Sequence, residues 1–369
     1  MNDDLCIGDA IDVAAYRFPT PQPEADGTLA WDQTTAVVVT IDAGGARGTG
    51  WTYSGPATAA VIETELVPVL RELSPFDIGR CRTLMWRHCR NIGSTALVAH
   101  ALSAVDIALW DLKARLLGVA LTTLFGAVRP VTPVYGSGGF INLDDDQLGE
   151  QIDGWRAAGC RAVKIKIGAD PGRDLARTAL ATKLIGPDTQ LMVDANGTYS
   201  VGQARRVGAE LDRLGVSWFE EPVTSDDPPG LAQVRAAVHC DIAAGEYAYG
   251  AYDAAALIGA VDCLQLDVTR CGGYTGFLAC AAVAAAHGLD VSAHCAPALS
   301  APITAAIPNL RHIEWFIDHA RLEPLLAEGI PRVSAGAIPP HAKDPADPHG
   351  HGMRIAETAA PYRLSAPQG

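Results

Sequence analysis

The sequence lacks the features that mark secreted, membrane and nucleic-acid-binding proteins. No apolar run approaches the roughly 20 residues that a membrane-spanning helix requires. The segment Met1–Cys6 has neither the basic nor the apolar part of a signal peptide. Lysine and arginine number 28 against 42 aspartates and glutamates, which leaves a net charge of −14. We therefore predict a cytoplasmic protein without a nucleic-acid or membrane partner.

The cysteines also lack the spacing of a disulfide or metal-binding framework. The 9 cysteines are odd in number and include no Cys-x-x-Cys pair, so neither a disulfide framework nor a zinc ribbon is indicated. We expect reduced, mostly buried thiols. With 49% hydrophobic and 19% charged residues, the chain is typical of a well-packed globular protein. Its 369 residues suffice for one large domain and a smaller one.

The segment from Cys160 to Gly168 places two lysines within a strand pattern. Aliphatic residues alternate with Lys164 and Lys166, so both ammonium groups project from one face of the predicted strand. Two ammonium groups that face an interior are costly unless anions meet them. Taken alone, such a segment also fits a half-exposed edge strand, and the choice depends on whether acidic residues recur further along the chain.

Acidic residues and one histidine do recur at intervals of 20 to 28 residues, each at the end of a predicted strand. This interval fits one strand–helix unit of a parallel barrel. Eight strands are predicted, at 131–135, 162–167, 190–195, 217–221, 241–246, 263–267, 289–294 and 311–314, with helices such as 175–185, 204–214 and 276–287 between them. The sequence thus predicts an α/β fold with a (β/α)8-type barrel. The phased residues are Asp194, Glu220, Glu246, Asp267, His294 and Glu314.

The chain on either side of these strands predicts an α+β capping domain. Residues 5–55 are typical of a small antiparallel sheet, with a loop at 19–27 that is either a connector or a lid. Helices are predicted at 57–73 and 94–117, and Gly136–Gly139 is interpreted as a tight turn. We predict a capping domain over residues 1–125, a barrel over 126–330 and a segment at 331–369 that returns to the cap.

Three consecutive strands end in Asp194, Glu220 and Glu246, at the barrel end that carries active sites. Three converging carboxylates would repel one another without a divalent cation, and oxygen-only ligands favour Mg²⁺. The alternative is that they cap helices, which suits Asp194 best and Glu220 poorly. Glu221 has the opposite strand parity, so we interpret it as structural or as lying outside the ligand set.

Five motifs resemble the enolase superfamily, and most of all its mandelate racemase subgroup. The resemblance covers nearly the whole chain and implies a cap built from both termini over a barrel that holds Mg²⁺. It further implies removal of the proton α to a carboxylate through an enediolate. The motifs are Val163-Lys-Ile-Lys-Ile-Gly, Val193-Asp-Ala-Asn-Gly, Trp218-Phe-Glu-Glu-Pro, Ala244-Gly-Glu and Ser292-Ala-His.

Within this scheme each remaining residue has an expected role. Lys164 would lie beside the substrate carboxylate and depress the pKa of Lys166, which would act as a base. Asp267 would orient His294 as a second acid or base. Glu314 could donate to a carboxylate oxygen if it is protonated. His312 and His319 are not expected to be ligands, whereas Asn196 is expected to meet either solvent or substrate.

The position of Asp267 where some subgroups carry a lysine disfavours a cycloisomerase or a dipeptide epimerase. A lysine opposed by a His–Asp dyad suits dehydration of a sugar acid to a 2-keto-3-deoxy acid. Racemisation or epimerisation of a 2-hydroxy acid is the alternative, and a non-catalytic sugar-acid binder is a further one. We expect a small carboxylate substrate and a possible homo-oligomer. The particular acid and the oligomeric state cannot be inferred from the sequence.

Overall fold

The computed structural model describes residues 5–365 and begins with a three-stranded antiparallel sheet, β1 (Ile11–Ala25), β2 (Ala30–Ala43) and β3 (Ala46–Tyr53). The predicted loop at 19–27 is largely wrong, because β1 continues to Ala25. Pairing with β2 breaks after Pro19 and resumes at Glu24 opposite Trp31. Prolines in the gap lack the N–H that a ladder requires. The result is a long hairpin, β1–β2, with an irregular stretch before its tip.

The cap helices come after the sheet and pack against it. Gly50 of β3 allows the close approach of a helix, since a Cβ there would lie 2.3 Å from the carbonyl oxygen of Ala104. The predicted helix at 57–73 has three parts, with a π-helical turn at Ile62–Leu66. The helices are α1 (Ala57–Val61), α2 (Val67–Leu70), α3 (Ile78–His88), α4 (Leu97–Leu116) and α5 (Leu121–Phe125), with a 3₁₀ turn at Cys89–Asn91.

Eight parallel strands form a closed barrel, because the last strand pairs with the first. This confirms the predicted architecture. The strands are β4 (Thr132–Gly138), β5 (Ala162–Lys166), β6 (Gln190–Asp194), β7 (Trp218–Glu220), β8 (Asp241–Ala244), β9 (Cys263–Leu266), β10 (Asp290–Ala293) and β11 (Leu310–Phe316). The helices between and after them are α6 (Asp145–Ala157), α7 (Pro171–Ile185), α8 (Val201–Arg213), α9 (Pro228–Arg235), α10 (Ala251–Leu257), α11 (Gly273–Ala286), α12 (Pro297–Thr304) and α13 (Ile317–Leu326).

The glycine cluster at Gly136–Gly139 is not the tight turn that the sequence suggested, because β4 extends through Gly138. A Cβ at Gly136 would lie 2.2 Å from Cγ of Trp155 on α6. The glycine therefore allows a helix to pack closely on the strand. The longer strand also brings Ser137 to the end of the barrel where the acids lie.

The C-terminal segment contacts both the barrel and the cap sheet. Short strands β12 (Ala327–Glu328) and β14 (Arg354–Ile355) pair with each other, and β13 (Ala337–Ile338) pairs with β4. After a 3₁₀ turn at Glu357–Tyr362, the N–H of Leu364 donates to the carbonyl of Ala15 in β1. The predicted domain boundaries at 125 and 330 stay predictions.

Two further expectations concern the cysteines and the membrane. All 9 cysteines are free, and all but Cys6 are buried, as predicted. Within residues 5–365, no helix combines the length and apolarity needed to cross a bilayer.

Candidate active site

Three carboxylates meet at the carboxyl end of the barrel. Asp194 and Glu220 are the last residues of β6 and β7, and the strand register sets them side by side. Glu246 lies two residues beyond β8, after Gly245, where the backbone takes a φ of +128°. Oxygen atoms of the three side chains lie within 4.8 Å of one another, and all three residues are buried. The predicted ligand set is thus brought together, and we call it the acid triad.

Both lysines of β5 lie against this triad. The register pairs Lys166 with Asp194, and the Lys166 Nζ donates to Asp194 Oδ2 over 2.5 Å. The Lys164 Nζ lies 2.6 Å from Glu220 Oε1 and 2.9 Å from an oxygen of Glu314. Strand alternation therefore directs both ammonium groups inward, as predicted, and each meets an anion.

The charge state of Lys166 differs from the expectation. Burial lowers its pKa most and Lys164 lowers it further, but the combined attraction of Asp194 and the other carboxylates of the site outweighs both. The lowering by Lys164 is present as predicted, but the net pKa of Lys166 lies above its usual value in this arrangement and not below it as expected. An acceptor carboxylate in contact dominates a second cation that is itself paired with Glu220 and Glu314.

A His–Asp dyad lies on the far side of the triad. The His294 Nδ1 is 2.7 Å from Asp267 Oδ2, and Asp267 also accepts from the backbone and hydroxyl of Thr269. Burial alone would raise the pKa of Asp267, but Arg270 and His294 hold it at about 2. The His294 Nε2 lies 3.1 Å from Glu246 Oε2. Lys166 and His294 thus flank opposite ends of the triad.

Glu314 lies inside β11 rather than at its end. One of its oxygens accepts from the Ser137 hydroxyl at 2.6 Å, and the other accepts from the N–H of Cys295 at 3.2 Å. Burial opposes ionisation, but Lys164 and His294 together hold the pKa of Glu314 below its usual value. In this arrangement the side chain accepts hydrogen bonds, and its donation to a substrate carboxylate, which depends on protonation, stays a prediction.

Two residues near the triad were not predicted as part of the site. The Arg270 Nη1 lies 3.1 Å from Glu246 Oε1, and its Nε lies 3.4 Å from Asp267 Oδ2. Glu221 has a φ of 35°, so its side chain does not follow the strand alternation on which the sequence argument relied. Burial, followed by the charge of Glu246, raises its pKa. A basic residue three positions after Asp267 was the available signal for Arg270.

The two histidines that were not expected to be ligands, and Asn196, make other contacts in the described structure. The His312 Nδ1 is 2.9 Å from the Ser292 hydroxyl, and the His319 Nδ1 accepts from the N–H of Ala296. Asn196 donates its backbone N–H to Asp194 Oδ1. These contacts support the barrel mouth without adding a group to the triad.

The charges in the site suit a divalent cation. Among the residues that the structure describes there, six carboxylates face four basic groups, so two negative charges would remain uncompensated if all ten groups were ionised. Burial and the neighbouring Asp194 raise the pKa of Glu220 to about 8, which is the response expected of crowded carboxylates. The oxygen-only triad, Asp194, Glu220 and Glu246, therefore fits Mg²⁺. The six acids are Asp194, Glu220, Glu221, Glu246, Asp267 and Glu314, and the basic groups are Lys164, Lys166, Arg270 and His294.

Comparison with protein families gives two matches that together span most of the chain. The family described as mandelate racemase / muconate lactonizing enzyme, N-terminal domain, matches residues 10–126. The family described as enolase C-terminal domain-like matches residues 147–359. The resemblance inferred from the five sequence motifs is confirmed.

Two characterised relatives are similar along most of their length. One is the 3,6-anhydro-alpha-L-galactonate cycloisomerase of Streptomyces coelicolor, which is 33% identical over 88% of this chain and 93% of its own. The other is the L-talarate/galactarate dehydratase of Salmonella typhimurium, which is 31% identical over 85% of this chain and 79% of its own. The relatives thus include both a lyase and an isomerase.

Solved structures agree. A mandelate racemase/muconate lactonizing enzyme-like protein from Rubrobacter xylanophilus is 41% identical, with a TM-score of 0.93 over 97% of this chain and 99% of its own. A racemase from Streptomyces coelicolor with bound magnesium is 31% identical, with a TM-score of 0.90 over 96% and 99%. The Salmonella dehydratase liganded with Mg and L-lyxarohydroxamate is 28% identical, with a TM-score of 0.87 over 96% and 92%.

Proposed function

Because the chain belongs to the mandelate racemase/muconate lactonizing enzyme family, we propose that it is a Mg²⁺-dependent enzyme that dehydrates a sugar acid. It would remove the proton α to the carboxylate and expel the β-hydroxyl, which yields a 2-keto-3-deoxy acid. The observation that carries this proposal is the placement of Lys166 and His294 at opposite ends of the acid triad. A group that can accept or donate a proton would then lie on each side of the substrate α-carbon.

Two sources of positive charge would lie beside the substrate carboxylate. Mg²⁺ bound by Asp194, Glu220 and Glu246 supplies positive charge where negative charge develops on the substrate carboxylate. Lys164 is buried, with a pKa held above its usual value by Glu220 and Glu314 against the effect of burial, so it stays cationic. It would add a second positive charge beside that carboxylate.

His294 suits the departure of the β-oxygen. Its Nδ1 is engaged by Asp267 at 2.7 Å, which orients the ring and leaves Nε2 facing the triad. Burial opposes the charged imidazole, but the surrounding acidic groups keep the pKa of His294 above its usual value. A protonated Nε2 can deliver its proton to a leaving hydroxide. Lys166 would take the α-proton from the other side in its neutral amine form, which requires that its ammonium proton first be lost.

A second candidate is ring opening of a cyclic sugar acid. It is favoured by the cycloisomerase relative, which the chain matches over 88% of its own length. A 3,6-anhydro acid carries an ether oxygen on the carbon β to the carboxylate. The same proton removal with departure of that oxygen breaks the C–O bond and gives an isomer without loss of water. Both candidate reactions use the same residues and differ in the leaving group, which is the β-hydroxyl in dehydration and the ring ether oxygen in ring opening.

The test is a screen of open-chain and cyclic sugar acids with and without Mg²⁺. Mass spectrometry separates the outcomes, because dehydration loses one water and ring opening retains the mass. A 2-keto product that forms only with Mg²⁺ is the expected result. Exchange of the α-proton with deuterated solvent without formation of a 2-keto product would indicate racemisation or epimerisation instead. Turnover unaffected by chelation would contradict the proposal.

Variants of the two bases assign the roles. Lys166→Ala should abolish dehydration, while His294→Asn should retain α-deuterium exchange and lose product formation. If Lys166→Ala still dehydrates, then His294 performs both proton transfers. Dehydration at the parent rate by His294→Asn would show that the dyad is structural.

A further inference from the structure

A second cluster of ligand-type atoms lies beside the acid triad. It consists of His294 Nε2, Cys295 Sγ and Glu314 Oε2. The sulfur lies 3.3 Å from the imidazole nitrogen and 3.4 Å from the carboxylate oxygen. The nitrogen and the oxygen are 3.5 Å apart. The three atoms thus form a nearly equilateral triangle of mixed nitrogen, sulfur and oxygen.

This triangle matches a face of a tetrahedral zinc site. Zinc binds sulfur at about 2.3 Å and nitrogen or oxygen at about 2.0–2.2 Å. Tetrahedral angles between such bonds separate the ligand atoms by roughly 3.3–3.6 Å. The observed separations fall in this range, so a cation could sit against the triangle without moving its ligands.

Each of the three ligand residues is already held in its orientation by a contact within the site. Asp267 engages the His294 Nδ1 at 2.7 Å, which is the carboxylate–histidine arrangement found behind metal-bound imidazoles. The Ser137 hydroxyl holds the other oxygen of Glu314 at 2.6 Å. Cys295 has a φ of 47°, an unusual conformation for a residue with a side chain, and its N–H donates to Glu314. A preoriented set costs little conformational entropy when a cation binds.

We propose that His294, Cys295 and Glu314 form a site for a thiophilic divalent cation, Zn²⁺ or Cd²⁺, separate from the acid triad. A thiolate and an imidazole select such ions, whereas Mg²⁺ prefers the oxygen-only triad. Burial and Glu314 raise the pKa of the Cys295 thiol, so the sulfur is protonated without metal. Binding forms the sulfur–metal and nitrogen–metal bonds and releases to solvent both the thiol proton and the Nε2 proton that His294 carries in its charged form. Three protein ligands leave a fourth position for water.

Occupation of this site would inhibit the reaction, and this consequence rests on the proposed function. The cation takes the lone pair of His294 Nε2, the nitrogen that faces the acid triad. An imidazole bound to metal can neither accept nor deliver a proton there. Zinc should therefore inhibit at saturating Mg²⁺ and release its inhibition on chelation with a zinc-selective ligand.

The binding test uses no substrate, so it stands apart from the proposed function. Cd²⁺ is titrated into the full chain at saturating Mg²⁺, and thiolate-to-cadmium charge-transfer absorption is followed in the ultraviolet. The expected result is one equivalent of absorbing site per chain, lost in Cys295→Ala and in Cys295→Ser. Cys271→Ala is the matched control, because Cys271 is also buried and its Sγ lies 4.0 Å from a backbone carbonyl oxygen.

Absence of the absorption in the parent chain, or its persistence in Cys295→Ala, would overturn the site. The serine variant keeps the test valid if the alanine variant folds poorly. In activity assays, the zinc concentration for half inhibition should rise at least about tenfold in the Cys295 variants. Equal inhibition of parent and variants would place the inhibitory zinc at the acid triad and overturn the inhibitory consequence alone.

Discussion

At the scale of single residues, the partner in contact decides the charge that a side chain carries. Lys164 and Lys166 are two positions apart on one strand, and from the sequence they should weaken each other's charge. In the structure each meets a carboxylate within 2.6 Å, which outweighs that repulsion. Lys164 likewise holds the pKa of Glu314 below its usual value. The spacing of residues along the strands therefore predicted where these side chains lie, but it did not predict their pKa values.

The acid triad yields a prediction about single charges. Asp194→Asn, Glu220→Gln and Glu246→Gln each remove one negative charge and nearly preserve shape. Unit charges 4 Å apart interact by about 4 kcal/mol at an effective dielectric of 20. Each variant should therefore bind Mg²⁺ at least about 100-fold more weakly and lose most turnover. Isothermal titration calorimetry with Mg²⁺ and the 2-keto product assay measure both effects.

A matched control is Asp290→Asn. Asp290 begins β10, at the opposite end of the barrel, and pairs with Arg311 there. Its loss should leave the Mg²⁺ affinity unchanged. Parent-like affinity and turnover in all three triad variants would remove the metal assignment.

At the scale of elements, the β1–β2 hairpin closes over the barrel end. The N–H of Ile141 donates to the carbonyl of Ala25, and the side chain of Asn142 donates to the carbonyl of Pro23. Both donors lie just after β4, at the end where the acids lie. The hairpin holds this position through strand pairing near its tip, between Glu24 and Trp31. The segment at 19–27, which the sequence indicated as a loop, is thus part of a hairpin that packs over this end of the barrel.

Glu24 makes this docking depend on pH. Burial, followed by the charge of Asp318, raises its pKa to about 8, although Trp31 and Arg321 oppose the shift. A raised carboxyl pKa means that the docked form prefers the protonated acid. Docking should be strongest below about pH 4.5 and should weaken as the pH rises towards about 8. Hydrogen exchange of the Ile141 amide, which donates to the carbonyl of Ala25, measures this change after correction for intrinsic rates.

Glu24→Gln is the matched variant, because it keeps the acceptor for the Trp31 indole N–H and cannot ionise. Its exchange protection should be flat across the same pH range. An equal slope in Glu24→Gln and the parent would assign the dependence to another group.

At the scale of the whole molecule, one buried aspartate links three separate parts of the chain. Asp111 on α4 accepts from the N–H of Thr49 on β3 and from the Arg115 guanidinium. It also accepts from the N–H of His351 in the C-terminal segment. The imidazole of His351 in turn contacts the carbonyl of Thr49 at 2.8 Å. The cap sheet, the cap helix and the C-terminal segment are thus held at one point.

We expect Asp111→Ala to lower the free energy of unfolding by about 2–4 kcal/mol, because it leaves two backbone donors without their acceptor and removes one of the two carboxylates that Arg115 meets. Urea denaturation measures the loss, and limited proteolysis should cut the C-terminal segment earlier than in the parent. Asp188→Ala, at an exposed position, is the control and should change stability by less than about 0.5 kcal/mol. Parent-like stability of Asp111→Ala would contradict the linking role.

The sequence by itself determined the barrel and the position of the acids within it. Period-two alternation and the recurring interval between acids are local properties of the backbone, and a parallel barrel brings all strand ends to one face. Lys166, Asp194 and Glu220 were therefore predictable. So was the dyad of Asp267 and His294, because neighbouring strands place consecutive strand ends side by side.

Only the tertiary structure decided the features that depend on a local break in regularity or on contacts between distant segments. Glu221 leaves the strand alternation because its φ is positive, and Cys295 meets Glu314 for the same reason. The proton on Glu314 depends on Lys164, which lies far away along the chain. Periodicity describes a regular backbone, whereas a pKa or a ligand triangle is set by the few atoms that folding brings within about 4 Å.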